Sequence, residues 1–213
     1  MSLKNKRILI TAGATWVAID SVRVISNIAT GETGILLAKR LSLRGAKVTL
    51  ALGPSCCAYA SGKIIPDFAC LPARQAIAKS GIKIIRFKFF EELKEIISKE
   101  LRSQAYDTVI HSAAVSDFKP ARHIKGKLKS DSPLTLRLAA LPKLVATIKR
   151  VSPHVKLVMF KLESGISDHE LIRRAREAMG KSNADAIVAN RIKPNYRAYI
   201  LDKEKVYAKV DSK

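Results

Sequence analysis

The stretch Ile19-Asp20-Ser21-Val22-Arg23-Val24-Ile25-Ser26-Asn27-Ile28-Ala29-Thr30-Gly31-Glu32-Thr33-Gly34 decides how this chain is read. It lies between an apolar run, Arg7 to Thr11, patterned as a strand, and Ile35 to Arg44, patterned as a helix. A strand feeding a helix is the unit that builds doubly wound sheets and offers a helix N-terminus to an anion. Here about twenty residues intervene, where about two to six are typical. So long a connection, with so many polar residues, reads as a binding loop. Thr30 is the expected N-cap of the helix, Gly31 and Gly34 permit close backbone approach, and Ala38 permits close packing. The stretch therefore reads as a phosphate seat.

Outward from that loop, strand-like and helix-like segments alternate. Lys47 to Leu52 is a second strand, stopped by Gly53-Pro54, and the first helix ends at Gly45. Between Ser55 and Ser80 the pattern is broken by Pro66 and Pro72, and only Ala73 to Lys79 reads as helical. The third strand is Ile82 to Phe87. Phe90, Leu93, Ile96, Ile97 and Leu101 place one apolar face on a helix from Phe90 to Arg102. Thr108 to His111 is the fourth strand, Leu144 to Val151 a helix, and Val155 to Phe160 the fifth strand. Ser167 caps a helix from Asp168 to Lys181, and Asp185 to Ala189 is the sixth strand. Ala198 to Leu201 and Lys205 to Val210 read as a hairpin.

That alternation predicts a three-layer, Rossmann-like α/β sandwich on a mostly parallel sheet, with a C-terminal hairpin, as a single domain over residues 1–213. Ligands in such folds sit beyond the carboxyl ends of the strands. Thr11 and Gly13, the segment Ser112 to Phe118, Lys161 to Ser164, and Asn190 all fall there.

Composition narrows the partners. A formal charge of +21, from 39 basic and 18 acidic residues, favours polyanions such as nucleic acid, acidic membrane or phosphorylated metabolites. The basic residues are spread along the chain, and aromatics at 6% are too few for a base-stacking platform. Nonspecific contact with nucleic acid fits this better than an evolved readout. Cys56, Cys57 and Cys70 have no metal-ligand spacing and read as reduced thiols. Met1 to Lys6 is polar, and no apolar run approaches the about eighteen residues that span a bilayer. A soluble, cytoplasmic protein with no membrane partner is expected.

A dinucleotide dehydrogenase is the obvious rival. No G-x-G-x-x-G follows the first strand, where the chain reads Thr11-Ala12-Gly13-Ala14-Thr15, and the second strand ends in Leu52-Gly53 without an acidic residue for a ribose. No P-loop motif is present either. The phosphate chemistry must be of another kind.

The T-x-G-x-T turn, the I-D-x-V-R and I-S-N runs and the T-G before the helix resemble phosphopantothenate–cysteine ligase of coenzyme A synthesis. The likeness continues through His111 to Phe118, Gly126-Lys127-Leu128-Lys129-Ser130, Phe160-Lys161-Leu162-Glu163 and Ala184 to Asn190, in the family's order. The resemblance implies a ligase that joins 4'-phosphopantothenate to cysteine through an acyl-nucleotide, with CTP or ATP as co-substrate and Mg²⁺ beside the phosphates. It implies a homodimer whose sites are closed partly by the neighbouring chain, and no flavin. No flavin-dependent decarboxylase region precedes the motifs, so a stand-alone form is expected.

Carried over by position, the resemblance makes Asn27 and Lys127 the catalytic pair: Asn27 orients the activated carboxyl group, and Lys127 stabilises phosphate or acyl-nucleotide. Asp117 would hold ribose or the metal. Ala113 and Phe160 would wall the nucleotide pocket, and Gly13, Thr30, Gly31, Lys129, Lys161 and Asn190 would contact nucleotide or substrate. The loop Lys119 to Ser132 would be a mobile lid. His111 reads as a satisfied core histidine and His123 as a plain loop residue. Ala14, Ala29 and Arg191 depart from the family's usual glycine, hydroxyl and aspartate. Ala14 and Ala29 leave room for a second reading, a catalytically weakened basic α/β protein that binds nucleotide or RNA.

Overall fold

Every residue of Ile8 to Ala12 is buried, as expected of a central strand covered on both faces. The computed structural model describes residues 2–54, 59–60, 63–64, 81–103, 105–122, 125–129, 131 and 133–211. In chain order the elements are β1 (Arg7–Ala12), β2 (Trp16–Ala18), β3 (Val24–Ser26), α1 (Glu32–Leu43), β4 (Lys47–Leu52), β5 (Tyr59–Ala60), β6 (Lys63–Ile64) and β7 (Lys83–Arg86). They continue with α2 (Phe90–Ser103), β8 (Thr108–His111), β9 (Phe118–Pro120), β10 (Leu138–Ala140), α3 (Leu144–Val151), β11 (Lys156–Glu163), α4 (Asp168–Ser182), β12 (Ala186–Arg191), β13 (Arg197–Leu201) and β14 (Val206–Val210).

The main sheet has eight strands in the order β14-β13-β12-β11-β8-β1-β4-β7. Strands β7 to β12 run parallel, and β13 and β14 close the far edge antiparallel. This is the Rossmann-like sandwich with a C-terminal hairpin. Alternation along the strands divides the core in two. Ile8, Ile10, Val48 and Leu50 meet Ile35 and Ala38 of α1 on one face. Leu9, Val109, Leu157 and Ile187 meet Leu93 of α2, Ile148 of α3 and Leu171 of α4 on the other.

The first helix begins at Glu32, three residues before the expected Ile35. Gly31, at φ 75°, turns the chain into it and takes the N-cap position, with no side chain capping. Thr30 is therefore not the cap; its Oγ1 accepts from the Glu32 N–H at 3.2 Å. Gly34 lies inside the helix, where a Cβ would come within 2.4 Å of the Ala12 Cβ. Strand β7 is shorter than its expected range, and β11 and β12 run longer, so Asn190 and Arg191 sit inside a strand and not beyond it. Two ribbons absent from the sequence reading, β2–β3 and β9–β10, stand above the sheet edge. Ala73 to Lys79, the three cysteines and His123 lie outside the described residues.

Gly53 fixes how closely the β4 end approaches the β1 loop. A Cβ there would lie 2.3 Å from the Ala14 carbonyl oxygen and 2.6 Å from the Phe87 ring. Gly53→Ala is expected to lower stability by about 1–3 kcal/mol, the usual toll of overpacking. Urea unfolding should show a lower midpoint at unchanged slope. An unshifted midpoint would mean that this crossing yields.

Candidate active site

The strand order reverses between β1 and β8, the switch point beyond which a binding crevice is expected in such sheets. Side chains and main chain sew the two exits together. Thr11 Oγ1 and His111 Nδ1 lie 2.8 Å apart, and Ser112 Oγ donates to the Thr11 carbonyl at 2.7 Å. The Ala114 N–H donates to the Gly13 carbonyl at 2.9 Å, and Ala14 bridges Ala114 in parallel. Further out, the Ser116 N–H donates to Thr15 Oγ1 at 2.8 Å, and Ser116 Oγ to the Thr15 carbonyl at 3.1 Å. Asn27 Nδ2 donates to the Ala114 carbonyl at 3.0 Å. Among the described residues its Oδ1 and second N–H have no partner, so the amide keeps both an acceptor and a donor to offer.

The expected phosphate seat is built of main chain. Gly13 and Gly31 both have positive φ, and a Cβ on Gly31 would lie 3.1 Å from the Gly13 nitrogen. The N-terminus of α1 therefore stands directly on the β1 exit, with unsatisfied N–H groups and the positive end of its dipole. Ala14 is buried without a positive φ, so its methyl is accommodated and not strained.

A connection the sequence reading missed runs from Asp20. Its side chain has no solvent exposure. Oδ1 accepts from the Val22 and Arg23 N–H groups at 2.9 and 2.7 Å. Oδ2 accepts from Arg23 Nη1 and from the Leu128 N–H, each at 3.0 Å. The Ser21 N–H donates to the Gly126 carbonyl at 3.1 Å, and Arg23 Nη1 to the Leu128 carbonyl at 3.3 Å. These donors, the Leu128 N–H foremost, hold the Asp20 carboxyl below its ordinary range. The expected lid is thus anchored at 126–128, with exposed Lys127 between the anchors and exposed Lys129 just beyond. The I-D-x-V-R motif carried the signal: an aspartate followed at two and three residues by free N–H groups is a ready acceptor turn.

The other expected residues separate into those that join the crevice and those already engaged. Asp117 pairs with Lys143 at 2.5 Å on the surface. Among the described residues no group of three or more His, Cys, Asp or Glu could hold a metal ion. Lys161 is not a free cation; it pairs with Glu163 at 2.9 Å, which Arg174 also meets at 3.2 Å. Ala113 packs against the core on the α2–α4 face, and Phe160 against the core under α1. Asn190 pairs in register with Leu162 of β11 and Ala198 of β13. Arg191 is buried and bonds Asp168 at 2.9 Å, a structural use for the residue that departs from the family's aspartate. A separate cavity of about 830 Å³ opens on the β4–β7 side, bordered by Trp16, Gly53, Phe87 and Lys88. Of the expected binding residues only Thr30 and no other reaches it.

Residues 3–66 and 70–212 match the DNA/pantothenate metabolism flavoprotein C-terminal domain. The coenzyme A biosynthesis bifunctional protein CoaBC of Thermococcus kodakarensis is 38% identical over 192 residues, covering 90% of this chain and 43% of that protein. The CoaBC of Methanocaldococcus jannaschii is 31% identical over 212 residues, covering 95% and 46%. The chain thus spans less than half the length of these relatives. The solved DNA/pantothenate metabolism flavoprotein from Streptococcus pneumoniae is similar with a TM-score of 0.76 at 25% identity, covering 97% of this chain and 93% of that one. A Cab2 variant in complex with phosphopantothenate-cysteine shares the fold at a TM-score of 0.76 and 20% identity, covering 99% and 81%.

His111 generates a prediction about acid stability. Burial pushes its imidazole down to about 4. The folded state therefore keeps it neutral while the unfolded chain takes up a proton near its ordinary value. Stability from this group is complete above about pH 6.5 and falls as the pH drops toward 4, by about 3 kcal/mol. Urea unfolding at pH 7 and pH 4.5 should show a smaller loss in His111→Gln than in the wild type. A His111 ring that titrates near pH 6.5 by NMR would contradict the buried, neutral assignment.

Proposed function

The chain belongs to the DNA/pantothenate metabolism flavoprotein C-terminal domain family, and on that premise we propose that it ligates 4'-phosphopantothenate to cysteine at the expense of a nucleoside triphosphate. The observation that carries this reading is the convergence of three devices on one sewn crevice: the α1 N-terminus on Gly13, the half-used amide of Asn27, and the anchored Lys127 loop.

In the first half-reaction a carboxylate oxygen of phosphopantothenate attacks the α-phosphorus, and the bond to pyrophosphate breaks. In the second the cysteine amine attacks the acyl carbon, loses a proton, and expels the nucleoside monophosphate. Neither half needs a covalent link to the protein, so the chain's task is to position anions and stabilise developing charge. The Gly31–Gly34 turn of α1 offers N–H groups to a phosphate. Asn27 can accept from and donate to the carboxyl group at once. Lys127, exposed on its fixed loop, supplies a cation for the acyl-phosphate, with Lys129 beside it. A magnesium ion would arrive on the triphosphate. CTP and ATP both suit a seat made of main chain.

We further propose a homodimer. The β2–β3 and β9–β10 ribbons pack together through β2 and β9, and leave Val22, Val24, Phe118 and Leu138 between 38% and 64% exposed. A symmetric partner is the simplest cover for such a patch beside the site.

Pyrophosphate release is expected only when phosphopantothenate and CTP or ATP are supplied together; equal release with nucleotide alone would indicate a nucleotidase and sink the ligase reading. Lys127→Gln should slow amide formation about a hundredfold, the scale for losing one charge-stabilising donor. Calorimetric nucleotide affinity should change far less. Sedimentation should find a dimer at micromolar concentration, and a 23.4 kDa particle there would remove the assembly.

A further inference from the structure

We infer that Asp20 is a positioning residue for this reaction: its carboxylate holds the Leu128 main chain beside Lys127 and braces the turn whose Ser21 holds Gly126 on the other side, and so presents that lysine to the crevice. The inference rests on the proposed role of Lys127 for its chemistry, and on the hydrogen bonds of Asp20 for its geometry.

The turn that contains Asp20 does not need the whole carboxylate. It is closed by the Ile19 N–H donating to the Arg23 carbonyl at 2.8 Å, and Oδ1 alone satisfies the N–H groups of Val22 and Arg23. Oδ2 is the oxygen that reaches out, to a backbone N–H 108 residues away. The bonds from Ser21 to the Gly126 carbonyl and from Arg23 to the Leu128 carbonyl flank the same lysine. Three tethers thus bracket one exposed residue between strands β9 and β10. The free energy of ordering residues 126–128 is met in the resting protein, before any substrate arrives.

The chemistry selects a carboxylate. All four partners of Asp20 are donors, and an ionised carboxylate is the one short side chain that offers acceptors in every direction. An asparagine of the same shape would turn an N–H₂ group toward either the turn or the Leu128 N–H. The buried site leaves no water to mend the mismatch. Asp20 touches no reacting atom; its effect passes through Lys127.

The test uses the full chain with three variants. Asp20→Asn removes the acceptor, Leu128→Pro removes the donor without touching the turn, and Lys127→Gln removes the cation. Both anchor variants should be cut by trypsin after Lys125 or Lys129, the two bonds there that neither substitution alters, at least about tenfold faster than the wild type, as local opening predicts. Their kcat should fall about tenfold or more while nucleotide affinity changes less than about twofold, the signature of lost transition-state positioning. Asp20→Asn placed on Lys127→Gln should cost no more than about twofold further, because the two act as a unit. Wild-type trypsin rates in both anchor variants, or a full additive loss in the double variant, would overturn the inference. If the wild type itself shows no ligation, the ligase reading fails, and the trypsin comparison still decides whether Asp20 holds the loop.

Discussion

The contact on which the reactive edge depends is buried between β1 and β8, where Thr11 Oγ1 meets His111 Nδ1 at 2.8 Å. Neither group can be left unsatisfied there, and the imidazole cannot be charged, so each is held by the other. From that point the two strand exits are joined step by step through Gly13, Ala114, Thr15 and Ser116. Of the candidate functional groups, Asn27 is fastened to this seam, and the Lys127 loop is held beside it. Asn27 hangs on the Ala114 carbonyl, and the Lys127 loop hangs on Asp20. A crevice that most open sheets leave between diverging loops is here drawn into a fixed shape.

Electrostatics follows the same plan. Three carboxylates around the strand ends are matched: Asp20 by Arg23, Asp117 by Lys143, and Glu163 by Lys161 and Arg174. Glu170 extends the pattern along α4 with Arg173 and Arg174, which hold its carboxyl down to about 2. These acids are neutralised within a chain that carries a net +21. The individual surface pairs add little stability. What they remove is repulsion.

Much of the fold was legible because periodicity and caps agree with the packing. Lys47–Leu52, Thr108–His111 and Leu144–Val151 have the same limits in the sequence reading and in the structure. Ser167 caps α4, its hydroxyl accepting from the Glu170 N–H at 3.2 Å. The start of α1 was not legible, since Thr30 looks like a cap while the turn is made by Gly31, a matter of φ and not of side-chain type. The ribbons β2–β3 and β9–β10 are three residues per strand, too short for a period of two to register. They exist through contacts with each other. In the site, motif resemblance singles out Asn27 and Lys127 as candidates, while the reach of Asp20 depends on a neighbour distant in sequence.

The crossing of Gly13, Gly31 and Gly53 sets a limit on molecular discrimination. Added Cβ atoms would lie 3.0 Å from the Gly53 oxygen at Gly13 and 3.1 Å from the Gly13 nitrogen at Gly31, so this corner has no room for side chains. Bare main chain can sense an anion's charge and size and nothing about the base attached to it. Such a corner is also closed to gradual evolutionary tuning, because each trial side chain collides with backbone before it can contact a ligand. Any discrimination by side chains is therefore left to positions outside this corner.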